Sequence, residues 1–130
     1  MKLLIASILV LIGFGSFSAV SAKQGQEISV KINTEEKANG GVRIKFVELV
    51  EDSRCPVDTK CIWAGNAKIK VRVTRNGKSK LLELNTMNKG GDPVFAGYKF
   101  RLTDLDPDLR TNVRINRNGY VAKIEITKTK

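Results

Sequence analysis

Two cysteines, Cys55 and Cys61, and three alternating aspartates, Asp104, Asp106 and Asp108, are the residues whose types and spacing could do chemistry here. The cysteines lie six positions apart, which is not the spacing of a CxxC redox pair. In an exported chain two cysteines most economically form one disulfide. Closing so short a ring is worth about 2 kcal/mol in the chain-entropy model, so it fixes a local loop more than a domain. The aspartates in "DLDPD" stand at a spacing where carboxylates can share a hard cation such as calcium. A calcium loop of the EF-hand type needs a glycine after the third acid and a later glutamate, whereas Leu109 and Arg110 follow here. Pro107 breaks the strand, so the simpler expectation is an acidic turn, with Asp104, Asp106 and Asp108 a weak metal candidate only. The chain contains no histidine. Ser-His and Cys-His nucleophilic catalysis and the usual zinc and copper sites therefore lack a member. The expectation is a non-enzymatic protein with no cofactor.

The elements that must position these residues read almost wholly as strands. "EISVKI" alternates apolar and polar residues. "GVRIKFVELVE" alternates through Val42, Ile44 and Phe46, then changes phase at Val47 and Leu49, which suggests a β-bulge near Phe46 and Val47 or a strand buried on both faces there. "AKIKVRV" places Ala67, Ile69, Val71 and Val73 on one face and Lys68, Lys70 and Arg72 on the other. Asn76-Gly77, which tolerates positive φ at both positions, predicts a hairpin into "KLLELNTM". "GYKFRLTDL" turns Tyr98, Phe100 and Leu102 inward, and a second hairpin is predicted from "NVRIN" through Asn118-Gly119 to "YVAKIEITK". "TEEKANGG" and "NKGGDP" read as loops. About seven strands without a helix predict an all-β fold, an antiparallel β-sandwich (immunoglobulin-like or a similar small barrel) with one local disulfide.

"MKLLIASILVLIGFGSFSAVSA" has Lys2, an apolar stretch from Leu3, and Val20, Ser21 and Ala22 before Lys23, the pattern of a cleaved secretory signal. We therefore expect residues 1–22 to be a signal peptide, 23–130 a single domain, and the protein to be periplasmic or extracellular. No transmembrane segment is expected after cleavage. The formal net charge is +10, one unit of it from Lys2. Such an excess favours acidic partners, and three basic rows could supply a binding face: Lys68, Lys70 and Arg72; Arg43 and Lys45; Lys99 and Arg101. If their strands are neighbours, the wet face becomes a plate for anionic glycans or lipids; the alternative is an ordinary solvated face whose lysines discourage edge-to-edge sheet pairing. Nucleic acid is the weaker expectation, because Tyr98 and Phe100 alternate inward rather than interleaving with the basic residues.

"DSRCPVDTKCIWAG" carries both cysteines and the chain's one tryptophan. A disulfide-closed loop loses little entropy on binding, and Arg54 or Lys60 beside it could be offered to a trypsin-like protease as an inhibitor loop does. The structural alternative packs Trp63 on or beside the disulfide, lets Ala64-Gly65 turn the chain into the next strand, and pairs Asp52 with Arg54 or with loop amides. The whole run through "NAKIKVRV" resembles a module of small exported bacterial proteins and lipoproteins of unknown function, with D-S-R-C-P, four residues, then C-x-W-A-G-x-A. "YKFRLTDLDPDLRTN" and "GYVAKIEITK" are similar to that family's later part, so the likeness spans about Val42 to Lys128. Where the family turn is often Pro-Tyr-Pro, this chain has Asp106, Pro107 and Asp108, which makes the acidic triplet look like local variation in a turn. The resemblance implies a β-rich exported domain and supplies no activity. The expected role is thus a binding or envelope-associated module, its partner an anionic envelope polymer or another exported protein. Arg54, Lys60, Trp63, Lys68, Lys70 and Arg72 are the candidate contacts.

Overall fold

The structure, a computed structural model, describes residues 25–129 together with Gly13 and Gly15. The expected signal segment otherwise lies outside the described residues. Eight strands run in chain order: β1 Gln26–Lys31, β2 Glu35–Lys37, β3 Arg43–Asp52, β4 Ala67–Arg75, β5 Lys78–Asn85, β6 Val94–Phe95, β7 Tyr98–Asp106 and β8 Val121–Lys128. They form two four-stranded sheets, ordered β1-β8-β7-β6 and β2-β3-β4-β5, in a half-barrel arrangement, and every strand pair within them is antiparallel. The chain crosses from the first sheet to the second just after β1. There Asn33, at φ 65°, donates to the Phe46 carbonyl and Ile32 bridges to Phe46.

Strand alternation explains the core. Ala67, Ile69, Val71 and Val73 are all fully buried; beside them in the same sheet lie Ile44 and Phe46 of β3, and the other sheet contributes Phe100 and Leu105 of β7 and Ile124 of β8 to the same core. The phase change in β3 is real: its register against β4 slips between Phe46 and Glu48 and again between Leu49 and Glu51. Each slip adds one residue on β3 and bends the strand, so β3 can reach Asp52 at the end of the barrel where the cysteines lie.

The first predicted hairpin forms, with Asn76 at φ 52° and Gly77 at φ 75° joining β4 to β5. The second does not. The Asn116 side chain accepts from the Asn118 amide and its carbonyl from the Gly119 amide, which winds residues 117–119 into a short 3-10 turn. That side-chain turn competes with hairpin geometry, and β8 takes β1 and β7 as its partners instead. The predicted loops also hold short strands: β2 lies within "TEEKANGG", and β6 directly follows "NKGGDP".

An arginine clasp ties the two sheets at each end of the molecule. At the β4–β5 turn end, Arg75 donates to the carbonyls of Gly40 and Ala96 and lies over the Tyr98 ring, 5.0 Å from its centroid. At the opposite end the clasp belongs to Arg54 and holds the cysteine loop.

Candidate functional site

The run from Asp52 to Ala67 leaves β3 and enters β4, so its two ends lie side by side in one sheet. Ser53 locks them: its amide and hydroxyl both donate to the Asn66 carbonyl at 2.8 Å, and its hydroxyl accepts from the Asn66 amide at 3.2 Å. Asn66 in turn accepts, through Oδ1, from the Thr86 hydroxyl and the Met87 amide. Gly65 passes directly over this crossing. A Cβ there would lie 1.7 Å from the Ser53 carbonyl oxygen and 2.6 Å from the Arg54 Cα, so only glycine fits.

Asp52 and Arg54 pair as expected, through two hydrogen bonds of 2.7 and 2.8 Å. The guanidinium goes further and donates to the carbonyls of Leu105 and Pro107 in the other sheet, while the Tyr120 hydroxyl donates to Asp52. Side-chain exposure is 14% for Arg54 and 8% for Asp52, so Arg54 is a clasp between sheets and its fork of donors is turned away from solvent. Burial is the largest influence on the Asp52 carboxyl and opposes its ionisation. The Arg54 hydrogen bonds and charge, with the Arg54 amide and the Tyr120 hydroxyl, together outweigh burial and hold the carboxyl below the usual aspartate range. The Tyr120 hydroxyl is pushed up by burial and by the Asp52 charge.

A stability consequence follows from the direction of the Asp52 shift. A carboxyl that is more acidic in the folded state contributes fully above its unfolded value, about 3.9, and loses that contribution as pH falls through the lower folded value. Denaturation midpoints should therefore fall steeply below about pH 4, and Asp52→Asn should flatten that fall. Asp58 adds to the same trend, because the Thr111 amide and hydroxyl donate to it and hold it low.

Cys55 and Cys61 form the disulfide, with Cα atoms 5.9 Å apart. The ring is braced from outside as well: Val57 donates to the Leu109 carbonyl, and Asp58 receives the Thr111 bonds. Its foundation on both flanks is backbone and polar contact, and Trp63, expected to pack on or beside the disulfide, is left largely in solvent. Trp63 is 75% exposed and its neighbour Ile62 is 94% exposed. Val57 is exposed too. Lys60, the only basic residue within the ring, is also exposed.

The basic rows separate between the sheets. Lys68, Lys70 and Arg72 on β4 lie beside Arg43 and Lys45 on β3, but Lys99 and Arg101 belong to β7 in the other sheet. Glutamates interrupt the first group: Glu83 is 3.4 Å from Lys68, Glu48 is 4.0 Å from Lys70, and Glu35 is 3.8 Å from Arg43. Lys45 and Arg72 meet as adjacent cations directly across the strands, as do Lys37 and Arg43, and Arg75 and Lys78. The face is a mixed lattice of charge, and its exposed pairs contribute little to stability.

Carboxylate oxygens of Asp104, Asp106 and Asp108 do come together, within 4.8 Å of one another. The Lys123 ammonium lies 4.0 Å from Asp104 and 3.8 Å from Asp106 and supplies positive charge to two of the three. We expect millimolar calcium to leave the melting temperature unchanged. A rise of several degrees would show that a cation displaces Lys123 there.

A groove of about 370 Å³ opens beside the loop, lined by Trp63, Ala64 and Gly65 on one side and by Glu51, Lys68, Glu83 and Lys89 among others on the rest. Trp63 and Lys68 were expected contacts; Glu51 and Glu83 were not, because their strand spacing shows only that they face out, nor was Lys89, which lies in the loop after β5. No family model, no curated protein and no solved structure matches the chain.

Proposed function

We propose that the protein is an exported, non-enzymatic binding module of the periplasm or cell exterior, which recognises its partner with the disulfide-closed loop. The observation that carries this reading is Trp63, three quarters exposed on a loop anchored on both flanks. A large aromatic held in solvent by a braced loop buries much apolar area on contact and loses little entropy in doing so. The signal-like first 22 residues and the Cys55–Cys61 disulfide support export. The lack of histidine supports a non-catalytic role. The motif spanning the loop supports membership in the family of small exported bacterial proteins that it resembles.

Among the rival surfaces, the mixed charges of the β3–β4 face favour the loop over a cationic plate for anionic glycans or lipids. Within the loop, Arg54 is committed to its clasp, so a protease-inhibitor role would fall on Lys60 alone. Affinity capture from the native envelope fraction tests the proposal. Trp63→Ala should keep the denaturation midpoint of the wild type and lose the captured material. Equal capture by both proteins would rule the loop out.

A further inference from the structure

The groove beside Trp63 narrows the class of ligand. Its charged wall residues balance: Glu51 and Glu83 against Lys68 and Lys89. Glu83 and Lys68 are already paired at 3.4 Å. Walls with no net charge give no net electrostatic pull on an anion or a cation and suit an uncharged occupant that can both donate and accept hydrogen bonds. The volume, about 370 Å³, lies in the range of small-molecule sites, roughly 300–1,000 Å³. One wall is an exposed indole and another a pair of carboxylates and ammonium groups, so the occupant must have an apolar face and a polar edge.

An uncharged sugar ring has that form. Its C–H face can lie against the Trp63 indole while its hydroxyls donate to Glu51 and Glu83 and accept from Lys68 and Lys89. We propose that this groove binds a neutral saccharide unit of an envelope or extracellular polymer. The inference rests on the loop's role in recognition and specifies what that loop grips. The floor of the groove is already satisfied internally: the Asn85 side chain bonds to the Lys89 amide and carbonyl, and Ser53 to Asn66. Specificity therefore falls to the indole and the four charged side chains.

Because Trp63 is the only tryptophan of the chain, its fluorescence reports on this groove directly. Cellotetraose, chitotetraose and maltotetraose serve as uncharged probes, each titrated into the wild-type protein. At least one should shift the emission to the blue with saturation below about 5 mM, and added salt should leave the affinity unchanged. The double variant Glu51→Gln/Glu83→Gln keeps the reporter, alters only exposed side chains, and should weaken binding by about tenfold. No response to any of the three sugars, a response that collapses with salt, or undiminished binding by the double variant would overturn the saccharide assignment. If Trp63-dependent capture from the envelope persists in that case, the loop still recognises a partner and only the ligand class is wrong. If capture does not depend on Trp63, the recognition role itself falls.

Discussion

Replacing Arg54 by alanine should cost about 3–5 kcal/mol of folding stability, the penalty for stranding one member of a buried ion pair. The loss is large because Arg54 does several things at once. Its fork neutralises Asp52, which is nearly out of solvent, and it supplies hydrogen for the Leu105 and Pro107 carbonyls across the barrel. After truncation Asp52 retains the backbone amide of residue 54 and the Tyr120 hydroxyl, but loses its paired cation. A domain of this size has only about 5–15 kcal/mol in total, so the variant should lose a large fraction of its stability. Arg54→Lys should recover part of the loss, since an ammonium keeps the charge but cannot reproduce the planar fork. In a double-mutant cycle with Asp52→Ala the two losses should be far from additive. Urea denaturation reads all of these values.

Gly65→Ala should be the most damaging of the glycine-to-alanine changes, at about 3 kcal/mol or more. The added carbon meets the Ser53 and Arg54 backbone, which cannot rotate away as a side chain would. Relief requires separating the two strands where Ser53 and Asn66 are bonded, and the Asp52–Arg54 clasp begins at that point. Gly77→Ala makes the informative contrast. It has open space around it and only a positive φ to oppose the methyl, so its cost should be about 1 kcal/mol. Comparable losses at the two positions would mean that the crossing beneath the loop is looser than described.

Much of this architecture was legible in the residues, because strand alternation is a local signal. The inward row from Ala67 to Val73, the bulge after Phe46, the Asn76-Gly77 hairpin, the local disulfide and the Asp52–Arg54 pair all follow from neighbours a few positions apart. The failures involve distant partners. Nothing near Arg54 indicates that its donors reach carbonyls more than fifty residues away. Nothing in the Lys99–Arg101 spacing tells which sheet β7 joins. Asn118-Gly119 carries a hairpin signature, yet Asn116 two residues earlier captures the turn. Strands β2 and β6 are three and two residues long and take their form from the strands they pair with; Glu-Glu-Lys of β2 reads as loop, and Val-Phe of β6 is too short to show alternation.

Trp63 was the most consequential of these differences. A lone tryptophan beside a disulfide fits a packed position, but the loop is held by the Ser53–Asn66 crossing and by bonds to residues 107–111, without the indole. The indole is left outside, and recognition by the loop depends on that placement. Acrylamide quenching of the single tryptophan tests it most directly. The native protein should emit at nearly the wavelength of the urea-unfolded chain and be quenched nearly as steeply. A blue-shifted emission that resists quenching would place Trp63 in the interior and contradict the account.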